Sequence, residues 1–193
     1  MADRLFLERI STPVGELLLV TDTSGRLRAT HFGDHEDELR RRMQRSTGTT
    51  DLAPPPKPTA AAGAVAAYFA GDVRAIERLP VETGGTSFQR AVWAALRDIP
   101  CGTTVSYGEI ARRIGRPKAV RAVGMANNAN PVGVIVPCHR VIGAGGSLIG
   151  YGGGLECKQW LLDHERRALG PAVLSERGPL QLPLAMSSTD AIP

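Results

Sequence analysis

The chain has 193 residues, of which 42% are hydrophobic and 22% charged, with a net charge of +4. That apolar fraction excludes a chain disordered throughout, and no stretch approaches the ~18 consecutive apolar residues of a membrane span. Three cysteines (Cys101, Cys138 and Cys157) are too few, and odd in number, for a disulfide framework.

The start, MADRLFLERI, puts charges where a signal peptide needs an apolar core, so a cytoplasmic protein is expected. The stretch 4–32, RLFLERISTPVGELLLVTDTSGRLRATHF, holds apolar runs separated by Thr-Pro, Val-Gly and Thr-Ser-Gly, and reads as strands joined by turns. HEDELRRRMQR (35–45) then reads as a charged helix, with Glu36/Arg40 and Glu38/Arg42 spaced for i,i+4 pairing. Residues 46–59 read as an exposed loop, because Pro54, Pro55, Pro56 and Pro58 oppose both helix and ladder pairing. An alanine-rich helix over 60–71 ends at Gly71. With no cysteine and only His31 and His35, residues 1–80 read as a small α/β domain without a catalytic or metal signature.

The next part, 84–170, reads as mainly helical. Thr86-Ser87-Phe88-Gln89 fits a capping box, followed by Phe88, Val92 and Leu96 at i, i+4, i+8 and a stop at Pro100 and Gly102. Ser106-Tyr107-Gly108-Glu109 fits a second box, opening a short helix that ends at Gly115. Pro117 sits where a first helical position would be, so a third helix is expected over 118–128. Two short helices joined through Gly115-Arg116-Pro117 have helix-turn-helix proportions, and Arg112, Arg113, Arg116, Lys118 and Arg121 cluster on them. The charge agrees with this: residues 84–170 carry a net +6, whereas 1–83 and 171–193 each carry −1. The asymmetry points to a nucleic-acid contact or to a solvated basic face.

Asn130-Pro131, an apolar run over 132–136 and then Pro137-Cys138-His139-Arg140-Val141 follow. Most free cysteines are inert packing, but this one sits after a rigid proline and beside a histidine and an arginine. A cationic setting is expected to lower the thiol's pKa, and the thiolate is the nucleophile. At its reference pKa of ~8.5 a thiol is only a few per cent ionised at neutral pH, so a nearby base matters. Direct contact with His139 and contact through a water are both open.

Residues 143–154, GAGGSLIGYGGG, hold seven glycines and Tyr151 but no G-x-G-x-x-G, which fits backbone closing on a flat ligand better than a nucleotide cofactor. In the last helix Cys157, Leu161 and Glu165 recur at i, i+4, i+8, so Glu165 extends an apolar face. A buried acid needs a partner: His139 is one candidate, and an outward bend to Arg166 or another arginine is the alternative. Cys138, His139, Cys157 and His164 lack the paired spacings of a zinc site, so no metal and no cofactor are expected. A flexible tail is expected over 171–193.

The motifs FQ-x-x-VW (88–93), IP-x-G-T-x-x-SY-x-x-IA (99–111), RAVG-x-A-x-x-x-NP (121–131), IVPCHRV (135–141) and G-Y-x-x-GL-x-x-K-x-x-LL-x-x-E (150–165) occur in one order. On these the chain resembles the O6-alkylguanine-DNA alkyltransferases, or methylated-DNA–protein-cysteine methyltransferases; before residue 84 only TP-x-G-x-L-L-L (12–19) is similar. The resemblance implies an RNase H-like α/β domain followed by a winged-helix-like, helix-turn-helix domain. It implies that Cys138 accepts the alkyl group, with His139 as base through a water, Glu165 polarising the imidazole and Asn130 steadying both. Tyr107 would protonate the departing guanine, and Arg121 would enter the base stack as the nucleotide flips out. Ala122, Lys118, Asn127 and Tyr107 would meet DNA in the minor groove. Pro137, Val141, Tyr151, Gly152 and Gly153 would shape the guanine pocket.

The implied partner is double-stranded DNA containing O6-alkylguanine, bound by a monomer or by copies packed cooperatively along it. The implied place is the cytoplasm, at the nucleoid, with no membrane. Zinc as some relatives bind it in the N-terminal domain is not expected, because residues 1–83 lack cysteine. A non-catalytic binder of alkylated bases and a helix-turn-helix regulator are the two other functions considered.

Overall fold

The computed structural model describes residues 4–33, 36–49 and 51–175. Strands β1 (Leu5–Thr12) and β2 (Gly15–Asp22) form a hairpin joined by Pro13-Val14. Strand β3 (Leu27–Phe32) pairs antiparallel with β2. Helix α1 (Glu36–Thr47) leads to β4 (Leu52–Ala53), which joins β1 in parallel and gives the sheet order β3-β2-β1-β4. The expected loop over 46–59 is therefore interrupted: α1 runs to Thr47, and two residues pair before Pro54 stops the ladder. Position 35, where the charged helix was expected to start, lies outside the described residues.

Adjacent strand side chains point to opposite faces, yet residues 17–22 of β2 are all buried, so the sheet is covered on both sides. Leu18 and Val20 pack with Leu39 and Met43 of α1. Leu17 and Leu19 enter a larger core with Val65 and Tyr68 of α2 (Ala60–Phe69) and, from the second half, Val92, Leu96, Ile110, Val123 and Leu161. Helix α2 starts at Thr59, whose Oγ1 accepts the Ala62 N–H at 3.2 Å. In α1 the Glu36–Arg40 pair forms at 2.5 Å. Arg42 instead donates to the Ala129 carbonyl at 3.0 Å, a contact across the molecule that local spacing could not reveal.

Helix α3 (Ser87–Arg97) opens with the complete Thr86/Gln89 capping box. Strand β5 (Val105–Ser106) leads into α4 (Tyr107–Arg113). Here only half of the expected box forms. Ser106 Oγ accepts the Glu109 N–H at 3.1 Å, but the Glu109 carboxylate turns to Arg112 and Arg113 at 2.6 and 3.0 Å, where charged donors outcompete a backbone N–H. Gly115, at φ 69°, supplies the left-handed turn that ends α4.

Helix α5 spans Val120–Asn128, starting later than expected. The Ala119 N–H donates to the Arg116 carbonyl at 2.8 Å, closing a turn in which the fixed φ of Pro117 fits as well as it would at a helix start. The apolar run 132–136 forms a turn closed by Val136 N–H on the Val132 carbonyl (2.9 Å), with Val134 at φ 72°. A 3-10 turn, Cys138–Arg140, follows, and β6 (Val141–Ile142) pairs in parallel with β5. Helix α6 (Gly154–Ser175) is broken at Gly170, φ 71° and ψ 167°, just before Pro171. The expected tail thus begins as helix over 171–175, and residues 176–193 lie outside the described part. Among the described residues no helix is long and apolar enough to cross a membrane.

Candidate active site

Cys138 stands at the first position of the 3-10 turn, presented by the strained segment before it. A β-branched residue at positive φ costs of order 1–3 kcal/mol and persists only where its surroundings over-determine it. Asn130 supplies part of that constraint. Its amide N–H donates to the Val136 carbonyl at 2.8 Å, and its Oδ1 accepts the Val132 N–H at 3.1 Å. The sheet supplies more: Thr30 of β3 donates from its backbone to the Pro131 carbonyl (2.8 Å) and from its hydroxyl to the Gly133 carbonyl (3.0 Å).

The thiol is buried, and burial raises its pKa despite the opposing influence of Asn130, Lys158 and nearby N–H groups. The expectation that its basic setting lowers the pKa fails for that reason: desolvation of the anion outweighs the cations. Cys138 therefore needs a base. His139 is fully buried, and its Nε2–H donates to Glu165 Oε1 at 2.9 Å. Burial lowers the His139 pKa, outweighing Glu165, so the ring is neutral near pH 7. With Nε2 as donor, the lone pair lies on Nδ1, which has no hydrogen-bond partner among the described residues.

Glu165 is fully buried and does not bend outward; Arg166 pairs with Asp163 at 3.5 Å, and the arginine that Glu165 meets is Arg140, inside the core. Burial opposes its charge, but His139 and Arg140 hold its carboxyl well below the usual range. Arg140 donates to both carboxylate oxygens, at 2.8 Å from Nη2 and 3.0 Å from Nε, and Nη1 reaches the Ile99 carbonyl at 2.7 Å. The Gly102 N–H donates to Oε2 and the Tyr68 hydroxyl to Oε1, each at 3.0 Å.

The glycine-rich segment closes the other side. Lys158, fully buried, donates to the carbonyls of Val141 (2.7 Å) and Ile149 (2.8 Å), tying the middle of that loop to β6. Its burial lowers its pKa to about 8, against the pull of Cys138. The Tyr107 hydroxyl reaches the Ile149 carbonyl at 3.4 Å, and burial followed by the Cys138 charge raises its pKa. Gly153 fits closely: a Cβ there would lie 3.1–3.3 Å from the side chains of Phe32, Tyr151 and Cys157, which would have to give by a few tenths of an ångström.

A pocket of about 430 Å³ opens onto Cys138, between Tyr151, Gly152 and Gly153 on one side and Phe32, Glu38 and Arg42 on the other. Asn127 is buried in its wall, whereas Arg121, Ala122 and Lys118 are exposed on and before α5. Pro137 and Val141 are buried on either side of the 3-10 turn. Among the described residues no group of three His, Cys, Asp or Glu side chains is placed to hold a metal. His164, weighed as a ligand, is taken up by the Tyr68 carbonyl (2.7 Å) and by stacking on Trp160.

Residues 87–167 match the family model described as the 6-O-methylguanine DNA methyltransferase DNA-binding domain. The methylated-DNA–protein-cysteine methyltransferase of Salmonella typhimurium is 47% identical over 165 residues, covering 84% of this chain and 96% of that protein. The chain belongs to the methylated-DNA–protein-cysteine methyltransferase family. The crystal structure of Mycobacterium tuberculosis O6-methylguanine methyltransferase superposes with a TM-score of 0.72 at 40% identity, covering 90% of this chain and 99% of that one. The structure of that methyltransferase in complex with DNA superposes with a TM-score of 0.70 over the same shares.

The expected thiol, histidine, glutamate and asparagine of this methyltransferase converge on one buried centre. The sequence reading missed Tyr68, Arg42 and the role of Lys158, and it gave residues 1–80 no part in the site. One signal was available for Tyr68. Ala61, Val65 and Tyr68 share the buried face of α2, and a hydroxyl on such a face needs a partner.

Proposed function

We propose that this methyltransferase repairs DNA by moving the alkyl group of O6-alkylguanine onto Cys138. The observation that carries the proposal is the chain Cys138–His139–Glu165, adjacent in sequence at one end and hydrogen-bonded at the other, at the base of a pocket. His139 Nδ1 takes the Cys138 proton through a bridging water, and Glu165, kept ionised by Arg140, steadies the positive imidazole. The sulfur attacks the alkyl carbon as its bond to guanine O6 breaks, with the electron pair leaving on the base. Tyr107 protonates the departing guanine and is reprotonated from His139. A thioether has no good leaving group, so each molecule reacts once.

The guanine lies between Tyr151, Gly152 and Gly153 and the walls formed by Pro137 and Val141. A base inside a duplex cannot reach a buried thiol, so the nucleotide is flipped out, at a cost of a few kcal/mol. Arg121 fills the vacated stack, Ala122 lets the helix approach the DNA backbone, and Lys118 holds a phosphate. Asn127 supports this from the pocket wall. We take α4 and α5 as a helix-turn-helix set in the minor groove, whose degenerate pattern suits a lesion found in any sequence. On the same reading the domains are RNase H-like and winged-helix-like. The protein acts as a monomer, or cooperatively along DNA, in the cytoplasm at the nucleoid, without metal or cofactor.

Incubation with duplex DNA carrying O6-methylguanine is expected to add about 14 Da, one methyl for one hydrogen, to the intact protein. Peptide mapping places the gain on Cys138, and Cys138→Ala abolishes it. Lesion binding without any mass gain in the wild-type protein would refute the proposal in favour of a non-catalytic binder.

A further inference from the structure

We infer that Tyr68, on helix α2 of the N-terminal half, is a positioning residue for alkyl transfer, acting through Glu165 on the proton-accepting His139. The inference rests on the function proposed above. Tyr68 is fully buried, and its hydroxyl donates to the same Glu165 oxygen, Oε1, that accepts His139 Nε2–H. Tyr68, His139 and Arg140 therefore share one acceptor's charge, and Tyr68 takes up a part of it that would otherwise fall to the imidazole.

Glu165 Oε1 receives Tyr68 at 3.0 Å, His139 at 2.9 Å and Arg140 at 2.8 Å, while Oε2 receives Gly102 and Arg140, both at 3.0 Å. Arg140 and Gly102 come from the segments around Cys138 and after α3; among the described residues Tyr68 is the donor to Glu165 that comes from the first 80. Its carbonyl also accepts His164 Nε2–H at 2.7 Å, and Phe69 packs on Trp160 at 5.8 Å, so α2 grips α6 beside Glu165. Burial and the Glu165 charge raise the Tyr68 pKa well above its usual value, so the hydroxyl stays a donor throughout the working range.

The ionisable groups facing the His139–Glu165 pair are Tyr68 from α2, Cys101 before β5, Cys138 and Arg140 in the 3-10 turn, Tyr151 in the glycine loop, and Lys158 on α6. Of these, Arg140 and Lys158 disfavour a charged His139 and Glu165 favours it. Removing the Tyr68 hydroxyl leaves Oε1 a stronger acceptor for His139 N–H. That favours the imidazolium and moves the His139 titration to higher pH.

The test is Tyr68→Phe in the full-length protein, read in two ways. NMR titration of the His139 ring nitrogens in the DNA-free protein is expected to move to higher pH by about half a unit to one unit. The acid limb of the single-turnover transfer rate is expected to move with it. Phe69→Leu, which loosens the same helix on Trp160 without touching Glu165, is expected to lower stability and leave both titrations in place. An unmoved His139 titration in Tyr68→Phe, or an equal shift in Phe69→Leu, would overturn the inference and make Tyr68 a packing residue. The His139 titration needs no substrate, so a wild-type protein that never transfers the alkyl group counts against the reaction itself and not against the hydrogen bond.

Discussion

His139 carries the consequence of burying a base beside a thiol. Its pKa is lowered from 6.5, chiefly by desolvation, so the neutral form that can take a proton persists below that value. The acid limb of alkyl transfer is therefore expected below pH 6.5, measured as single-turnover rate against pH; a midpoint above 6.5 would contradict the buried, neutral ring. Glu165 is the opposite case. Its folded pKa is depressed, so the stability it contributes is present above its unfolded value near 4.5 and is lost as pH falls. Glu165→Gln keeps the shape but leaves Arg140 buried without its counter-charge, which is expected to cost about 3–5 kcal/mol at pH 7 in urea unfolding. The gap to wild type should close on acidification below pH 4.5; equal stabilities at pH 7 would mean that the ion pair contributes nothing.

Helices α4 and α5 show how one element divides its charges between folding and contact. Arg112, Arg113, Arg116, Lys118 and Arg121 are all exposed around the turn and the start of α5, and the first two also pair with Glu109. The five basic residues read from the sequence therefore share one exposed surface, with Glu109 as a counter-charge to Arg112 and Arg113. On the proposed function, Arg121→Ala is expected to slow transfer from duplex DNA by more than about tenfold, the loss of one well-placed contact of 1–3 kcal/mol. Reaction with free O6-benzylguanine, which needs no flipping, should stay within about twofold; equal losses on both substrates would refute a stack-filling role. Local signals settled much at this scale. The Thr86/Gln89 box needs only neighbouring residues, and it forms as read. The Glu109 half of the second box does not form and α5 starts two residues late, because a side chain or a turn has a second partner in reach.

At the scale of the whole molecule the two halves share one core. Leu17, Leu19 and Val65 pack in the same cluster as Val92, Leu96, Ile110 and Leu161, so neither half buries its apolar surface alone. The segment 84–175 expressed by itself is expected to lack a cooperative thermal transition, because it exposes the faces that β2 and α2 cover. Followed by circular dichroism, a sharp transition at the full chain's Tm would show that the second half folds alone. The same packing brings Phe32, Glu38 and Arg42 to the pocket and Tyr68 to Glu165.

The sequence by itself determined most of the helices and the chemistry they carry. The starts of α2, α3 and α4, the basic excess, the thiol beside a histidine and the inward glutamate at i+8 from Cys157 all follow from residue type and short spacing. Only the tertiary structure decided that the Cys138 thiol is raised, because burial depends on what surrounds it and not on its neighbours in sequence. Only it decided that an alanine-rich helix in the first half delivers a hydroxyl to the carboxylate. Tyr68 and Glu165 stand 97 residues apart, and no local pattern encodes a hydrogen bond that exists only once the core has closed.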